Sequence, residues 1–239
     1  MERYIDLEDG KIFVDTYGDE QKFPLVLLHG NGEDSGYFIR QIEYFSDKFY
    51  VVAIDSRGHG KSSYNGEKLS ISKLSDDVVK VLEIMDIKKA NFLGFSDGGN
   101  ILINIALNRP DLINKMILNG ANISPNGVNF FVNLKIYFGY LQIVLKSLFN
   151  EDYKQEKAVW KLMVNEPKFT FKMLHNIQAD TLVIVGNKDM KKSHHSKKIA
   201  ENIKNASFVE MEGNHFIAEE EPLEFNKIVD EFLGKKASY

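Results

Sequence analysis

Three side chains in this sequence could perform acyl transfer if the fold brought them together: Ser96, Asp189 and His215. Ser96 sits in Gly94-Phe95-Ser96-Asp97-Gly98-Gly99, a junction nearly bare of side chains between two apolar runs. A strand that turns straight into a helix forces strained backbone angles on the corner residue, and flanking glycines let neighbouring chain approach without Cβ clashes. The corner side chain is then pushed out above the sheet, as in the G-x-S-x-G nucleophile elbow. A hydroxyl there also lies at a helix N-terminus, where free amides and the helix dipole favour developing negative charge. A serine that merely caps an ordinary helix would use the same residues, so the elbow reading needs partners.

A serine hydroxyl is a weak nucleophile until a base removes its proton, and that base needs a carboxylate to orient it. Asp189 follows the strand-like run Thr181-Leu182-Val183-Ile184-Val185, and His215 follows Phe208-Val209-Glu210-Met211. Parallel strands bring their C-terminal ends to one edge, and Ser…Asp…His is the chain order that accompanies this elbow. Singly, Asp189 reads equally well as a turn residue and His215 as a surface loop residue; order and position together favour a triad. An early strand, Leu25-Val26-Leu27-Leu28, runs into the turn His29-Gly30-Asn31-Gly32, so the backbone N–H groups of Asn31 and Asp97 are the expected oxyanion donors. The Asp97 carboxylate beside the nucleophile could attract a substrate amine or repel an anion, although acids also favour the first turn of a helix.

The elements that must position these residues follow a rhythm. Residues 1–17 read as a hairpin around Glu8-Asp9-Gly10. Short apolar runs at 25–28, 50–54, 91–95, 115–118, 181–185 and 207–211 alternate with helical patterns at 37–47, 72–85, 98–108, 194–203 and 221–233. That alternation predicts an α/β fold with a parallel sheet covered on both faces. The rhythm breaks between Asn122 and Gln178, where only helical pattern occurs. Phe131, Leu134, Phe138, Leu141, Leu145 and Leu148 share one predicted helix face, opposite a stripe of Lys135, Gly139, Gln142 and Lys146. The expected organisation is a core of residues 1–121 and 179–239 with a helical lid at 122–178. Phe131, Phe138, Tyr140, Trp160 and Met163 of the lid are the candidates for an apolar acyl pocket, with a purely structural role as the alternative for each.

On these residues the chain resembles the α/β-hydrolase superfamily, specifically its compact lid-bearing serine hydrolases of the esterase or valacyclovir-hydrolase-like kind. The resemblance spans nearly the whole chain and also includes Asp55-Ser56-Arg57-Gly58-His59-Gly60-Lys61-Ser62 and Gly213-Asn214-His215-Phe216. It implies an eight-stranded, mostly parallel sheet and an acyl-enzyme mechanism without a cofactor, acting on a small or medium carboxylic ester. Thioester, amide and carbon–carbon cleavage share the same triad, and a catalytically silent ligand-binding protein of this fold is the alternative from another class. Relatives often carry Trp or Met after the nucleophile, where this chain has Asp97. Haloalkane dehalogenases and epoxide hydrolases use an aspartate nucleophile, and Ser96 argues against both.

Composition narrows the remaining classes. The 239 residues carry a net charge of −4, which does not suit nucleic-acid binding. Cysteine is absent, removing disulfides, thiolate catalysis and zinc–cysteine sites, and suiting a cytoplasmic location. The start of the chain lacks the apolar core of a signal peptide. The apolar stretch 130–149 carries Asn133, Lys135, Gln142 and Lys146, which argues against a transmembrane span, while its lysine stripe raises lipid-surface docking as a weaker possibility. Gly58-His59-Gly60-Lys61-Ser62 resembles a phosphate loop but has Asp55 where that motif needs glycine. His194-His195 lacks a carboxylate at ligand spacing, so no metal is expected and a solvated face is the reading; Lys188, Lys191, Lys192, Lys197 and Lys198 read as solvated too. The expected partner is a small ester-type molecule, and the oligomeric state is left open.

Overall fold

The computed structural model describes residues 1–190 and 193–235, with no description of the Ser193 side chain; Lys191 and Lys192 of the lysine cluster lie outside the described residues. In chain order the elements are β1 (Glu2–Leu7), β2 (Gly10–Tyr17), β3 (Pro24–Leu28), α1 (Ile39–Phe45), β4 (Tyr50–Ile54), α2 (Ile71–Ile84), β5 (Ala90–Phe95), α3 (Asp97–Asn108) and β6 (Ile113–Asn119). After these come α4 (Phe130–Phe149), α5 (Tyr153–Asn165), α6 (Phe171–Leu174), β7 (Asp180–Gly186), α7 (Ser193–Glu201), β8 (Ala206–Met211), α8 (Ile217–Glu220) and α9 (Pro222–Gly234).

The strands form one eight-stranded sheet in the order β1-β2-β4-β3-β5-β6-β7-β8. Only the β1–β2 and β2–β4 pairs are antiparallel; β4 to β8 run parallel, as the alternating pattern requires. Burial on both faces explains the unbroken apolar runs. In β3, Val26 and Leu28 join the cluster with Leu74, Val78, Leu102 and Ile199 of α2, α3 and α7. Leu25 and Leu27 join the opposite cluster with Ile42, Phe45, Phe225 and Val229 of α1 and α9. Successive residues of one strand therefore feed two cores, which alternation of side chains across a strand produces. Ser70 caps α2, its hydroxyl accepting from the Lys73 N–H at 3.2 Å.

The long break in strand pattern is filled by α4, α5 and α6, inserted between β6 and β7. Here the structure reverses one expectation. The Phe131–Leu148 face of α4 is turned to solvent, and the helix buries its other side, with Ile143 and Ser147 inside. The physical reason is Gly139. A Cβ at that position would lie 2.3 Å from the Trp160 ring, so only glycine lets α5 pack this closely against α4. Val159 and Leu162 of α5 reach the main core, tying the insertion to the sheet layer.

Candidate active site

The corner after β5 has the strain that the sequence implies. Ser96 has φ +50° and ψ −113°, in the left-handed region that side chains rarely occupy. Its hydroxyl caps nothing at the start of α3, so the plain N-cap reading fails. Two glycines make the corner possible: a Cβ on Gly94 would meet Gly98 O at 2.5 Å, and one on Gly98 would meet Leu28 O at 1.9 Å. The Ser96 N–H is held by Asn119 O at 2.8 Å, anchoring the corner to the end of β6.

Four strand ends supply the rest. Asn31 follows β3, Ser96 follows β5, Asp189 follows β7 and His215 follows β8, and the shared direction of these strands puts all four on one rim. Ser96 Oγ lies 3.1 Å from His215 Nε2. On the other side of the ring, His215 Nδ1 lies 2.8 and 2.9 Å from the two Asp189 oxygens. An ionised carboxylate only accepts, so Nδ1–H donates to Asp189, and Nε2 is left as the acceptor for the serine O–H. Both the His215 and Asp189 side chains are buried, with Phe95 and Phe216 rings 4.8 and 5.5 Å from the imidazole.

The turn after β3 is equally well determined. His29 Nε2 accepts from Ser56 N–H at 2.9 Å while His29 Nδ1–H donates to Gly30 O at 2.7 Å. Burial, with His59 close by, holds the His29 imidazole neutral, its pKa down to about 4. Among the described residues, the backbone N–H groups of Asn31 and Asp97 donate to no protein acceptor. The Asp97 carboxylate is occupied: Oδ2 accepts from Asn31 Nδ2 at 3.1 Å and Oδ1 from Asn100 Nδ2 at 2.9 Å. Farther along, Arg57 is fully buried and forks onto Asp77 at 2.7 and 2.9 Å while reaching Asp9 at 2.7 Å, tying the loop after β4 to α2 and the β1–β2 turn.

A cavity of about 100 Å³ opens over Ser96 and His215. Of the lid side chains expected to wall it, Met163 does. Phe131 and Phe138 do not, because they lie on the solvent face of α4. Tyr140 lines a separate groove with Tyr64 and Lys157, and Trp160 is spent on Gly139. The apolar wall comes instead from Val128, Ile136, Met190 and Phe216, with Glu33 and Glu166 as acidic members. Sequence reasoning missed Val128, Met190 and Phe216 because they lie outside the long helices, and Ile136 because it belongs to the shorter Ile136–Tyr140–Ile143 row of α4 rather than to its Phe131–Leu148 face; position alone, one residue after Asp189 or His215, could have flagged Met190 and Phe216. Burial pushes the Glu33 carboxyl up to about 7, against a Gly30 N–H contact at 3.3 Å that works the other way.

Among the described residues no group of three or more His, Asp or Glu side chains is placed to hold a metal ion. His195 departs from expectation by being buried, its Nε2 accepting from the Ile123 N–H at 3.2 Å against the Phe171 ring; His194 is exposed. Lys188 is paired with Glu212 at 2.6 Å, whereas Lys197 and Lys198 are exposed.

Residues 24–152 match the family model described as the alpha/beta hydrolase fold, more than half of the chain. The chain is similar to (E)-2-((N-methylformamido)methylene)succinate hydrolase of Acinetobacter baylyi, 34% identical over 41% of this chain and 38% of that one. It is also similar to 3-oxoadipate enol-lactonase 2 of the same organism, 33% identical over 43% of this chain and 39% of the relative. The aligned segments thus span about two-fifths of the length of these curated relatives. Among solved structures, Est816, described as an N-acyl homoserine lactone degrading enzyme, superposes with a TM-score of 0.77 at 27% identity, covering 96% of this chain and all of that one.

Proposed function

The chain belongs to the α/β-hydrolase superfamily, and from that premise we propose that it is a serine hydrolase cleaving small or medium carboxylic esters, lactones included. The observation that carries this reading is the continuous relay from Ser96 Oγ through His215 to Asp189, at 3.1 Å and 2.8 Å. In acylation, His215 Nε2 takes the Ser96 proton as Oγ attacks the carbonyl carbon. The N–H groups of Asn31 and Asp97 receive the oxyanion; where such a donor has been removed from other enzymes, rate falls by about 10²–10³. The tetrahedral species collapses, and His215 returns the proton to the leaving alkoxide. Water, deprotonated by the same Nε2, then attacks the acyl-enzyme, and the acid and Ser96 O–H are released.

Asp189 orients the imidazole and stabilises its charged form. The Asp97 carboxylate accepts one side-chain amide on each oxygen and so braces the corner against the turn after β3, and it lines the cavity with acceptor capacity left on both oxygens. Val128, Ile136 and Met163 receive the acyl chain. Residues 122–178 act as the lid over that chain. Similarity to a lactonase and to a lactone-degrading enzyme supports ester chemistry.

A fluorophosphonate probe tests the mechanism. Covalent labelling of the wild-type protein that disappears in Ser96→Ala is expected. Failure of the folded wild-type protein to label, together with no turnover across a chain-length series of p-nitrophenyl esters, would leave a ligand-binding protein instead.

A further inference from the structure

The solvent face of α4 is apolar along its whole length. Nine large apolar side chains between Phe130 and Phe149 are exposed, from 40% at Leu141 to 90% at Phe149. At the helical angular step they occupy a sector of about 120°. A continuous apolar surface of this extent marks a binding face for a protein or a membrane.

Charge decides between them. Helix α4 contains no Asp or Glu, and one border of the apolar sector carries Lys135, Gln142 and Lys146. The other border carries Tyr137 and Tyr140, and Tyr140 opens onto a groove lined by Lys68 and by Lys154, Lys157 and Lys161 of α5, against one carboxylate, Glu67. Lys154 is paired with Glu151 at 2.6 Å, but Lys135, Lys157 and Lys161 form no ion pair among the described residues. A second copy docking through this face by two-fold symmetry would set lysine rims against lysine rims with no carboxylate on the helix to answer them. An apolar strip flanked by lysines and border tyrosines instead fits the boundary between lipid headgroups and acyl chains. No described helix is long and apolar enough to cross a membrane, which leaves the helix lying in the interface plane.

We propose that α4 is a docking helix for anionic lipid surfaces, its phenylalanines and leucines in the acyl boundary and its flanking lysines among the headgroups. Ile136, on the other side of the same helix, lines the Ser96 cavity, so α4 becomes a wall shared by the cavity and the lipid.

Flotation of the full chain with phosphatidylcholine vesicles, with and without phosphatidylserine, tests this. The wild-type protein is expected to float with phosphatidylserine vesicles and to be released by salt. Lys135→Gln with Lys146→Gln should weaken partitioning by about fivefold per lysine. Phe131→Gln with Phe138→Gln and Leu145→Gln should abolish flotation while leaving circular dichroism and fluorophosphonate labelling unchanged, because these side chains touch neither core nor cavity. A wild-type protein that stays unbound overturns the proposal, as does a triple variant that floats like wild type. Light scattering that shows a wild-type dimer which the triple substitution dissolves would assign the face to a second copy and overturn it equally.

Discussion

Replacing Gly98 by alanine tests how the corner after β5 and the turn after β3 cooperate. The added methyl would stand 1.9 Å from Leu28 O, 2.5 Å from Leu28 C and 2.7 Å from His29 O. A carbon–oxygen contact needs about 3.3 Å, so the start of α3 and the 28–31 turn must separate by about 1.4 Å. The obstructing atoms are backbone at the end of a central strand and cannot rotate aside as a side chain would. The gap opens between the two amides assigned to the oxyanion, whose donors must sit about 2.7–3.1 Å from it. Misplacement by about 1 Å costs on the order of 10² in rate, equivalent to about 2.7 kcal/mol of transition-state stabilisation. Because the oxyanion exists only in the transition state, the loss belongs in kcat, with KM for a p-nitrophenyl ester nearly unchanged. Active sites are counted by fluorophosphonate titration so that misfolded protein does not enter the rate. Gly234→Ala is the control, since a Cβ there meets nothing within 4 Å. A Gly98→Ala enzyme with kcat within about threefold of wild type would refute the coupling of corner and turn.

Two further outcomes follow from buried charge. Arg57→Met should lower unfolding free energy by about 3–5 kcal/mol, because Asp77, 3% exposed, loses its bidentate partner; in urea titrations, Arg57→Met with Asp77→Leu should recover most of that loss, and no recovery would show that the guanidinium contributes packing rather than charge pairing. Glu33, raised by burial from 4.5 to about 7, holds its proton more tightly folded than unfolded, so wild-type stability should fall as pH rises through that window and level off above it. Glu33→Gln should remove this slope, gaining thermal stability over wild type near pH 8 and little near about pH 5; parallel melting curves at both would count against a buried Glu33.

Much of this was written in the sequence by itself. Short continuous apolar runs alternating with helical patterns marked the strands of the parallel sheet, and the Gly-x-Ser-x-Gly spacing announced a strained corner, because both are local consequences of side-chain periodicity and backbone sterics. The convergence of Ser96, Asp189 and His215 was legible for a related reason: residues just past parallel strands share a rim, whatever the details of packing. The orientation of α4 was not legible. Periodicity identifies an apolar face but not which face meets a neighbour, and the close fit of Trp160 over Gly139 chose the side poorer in large apolar residues. That choice took Phe131 and Phe138 out of the cavity and brought Ile136 in. The occupation of Asp97 by Asn31 and Asn100, and the burial of His195 against Ile123, likewise belong to the tertiary structure. Each joins segments whose separation along the chain carries no periodic signal, so only the packed molecule could decide which polar groups would find each other.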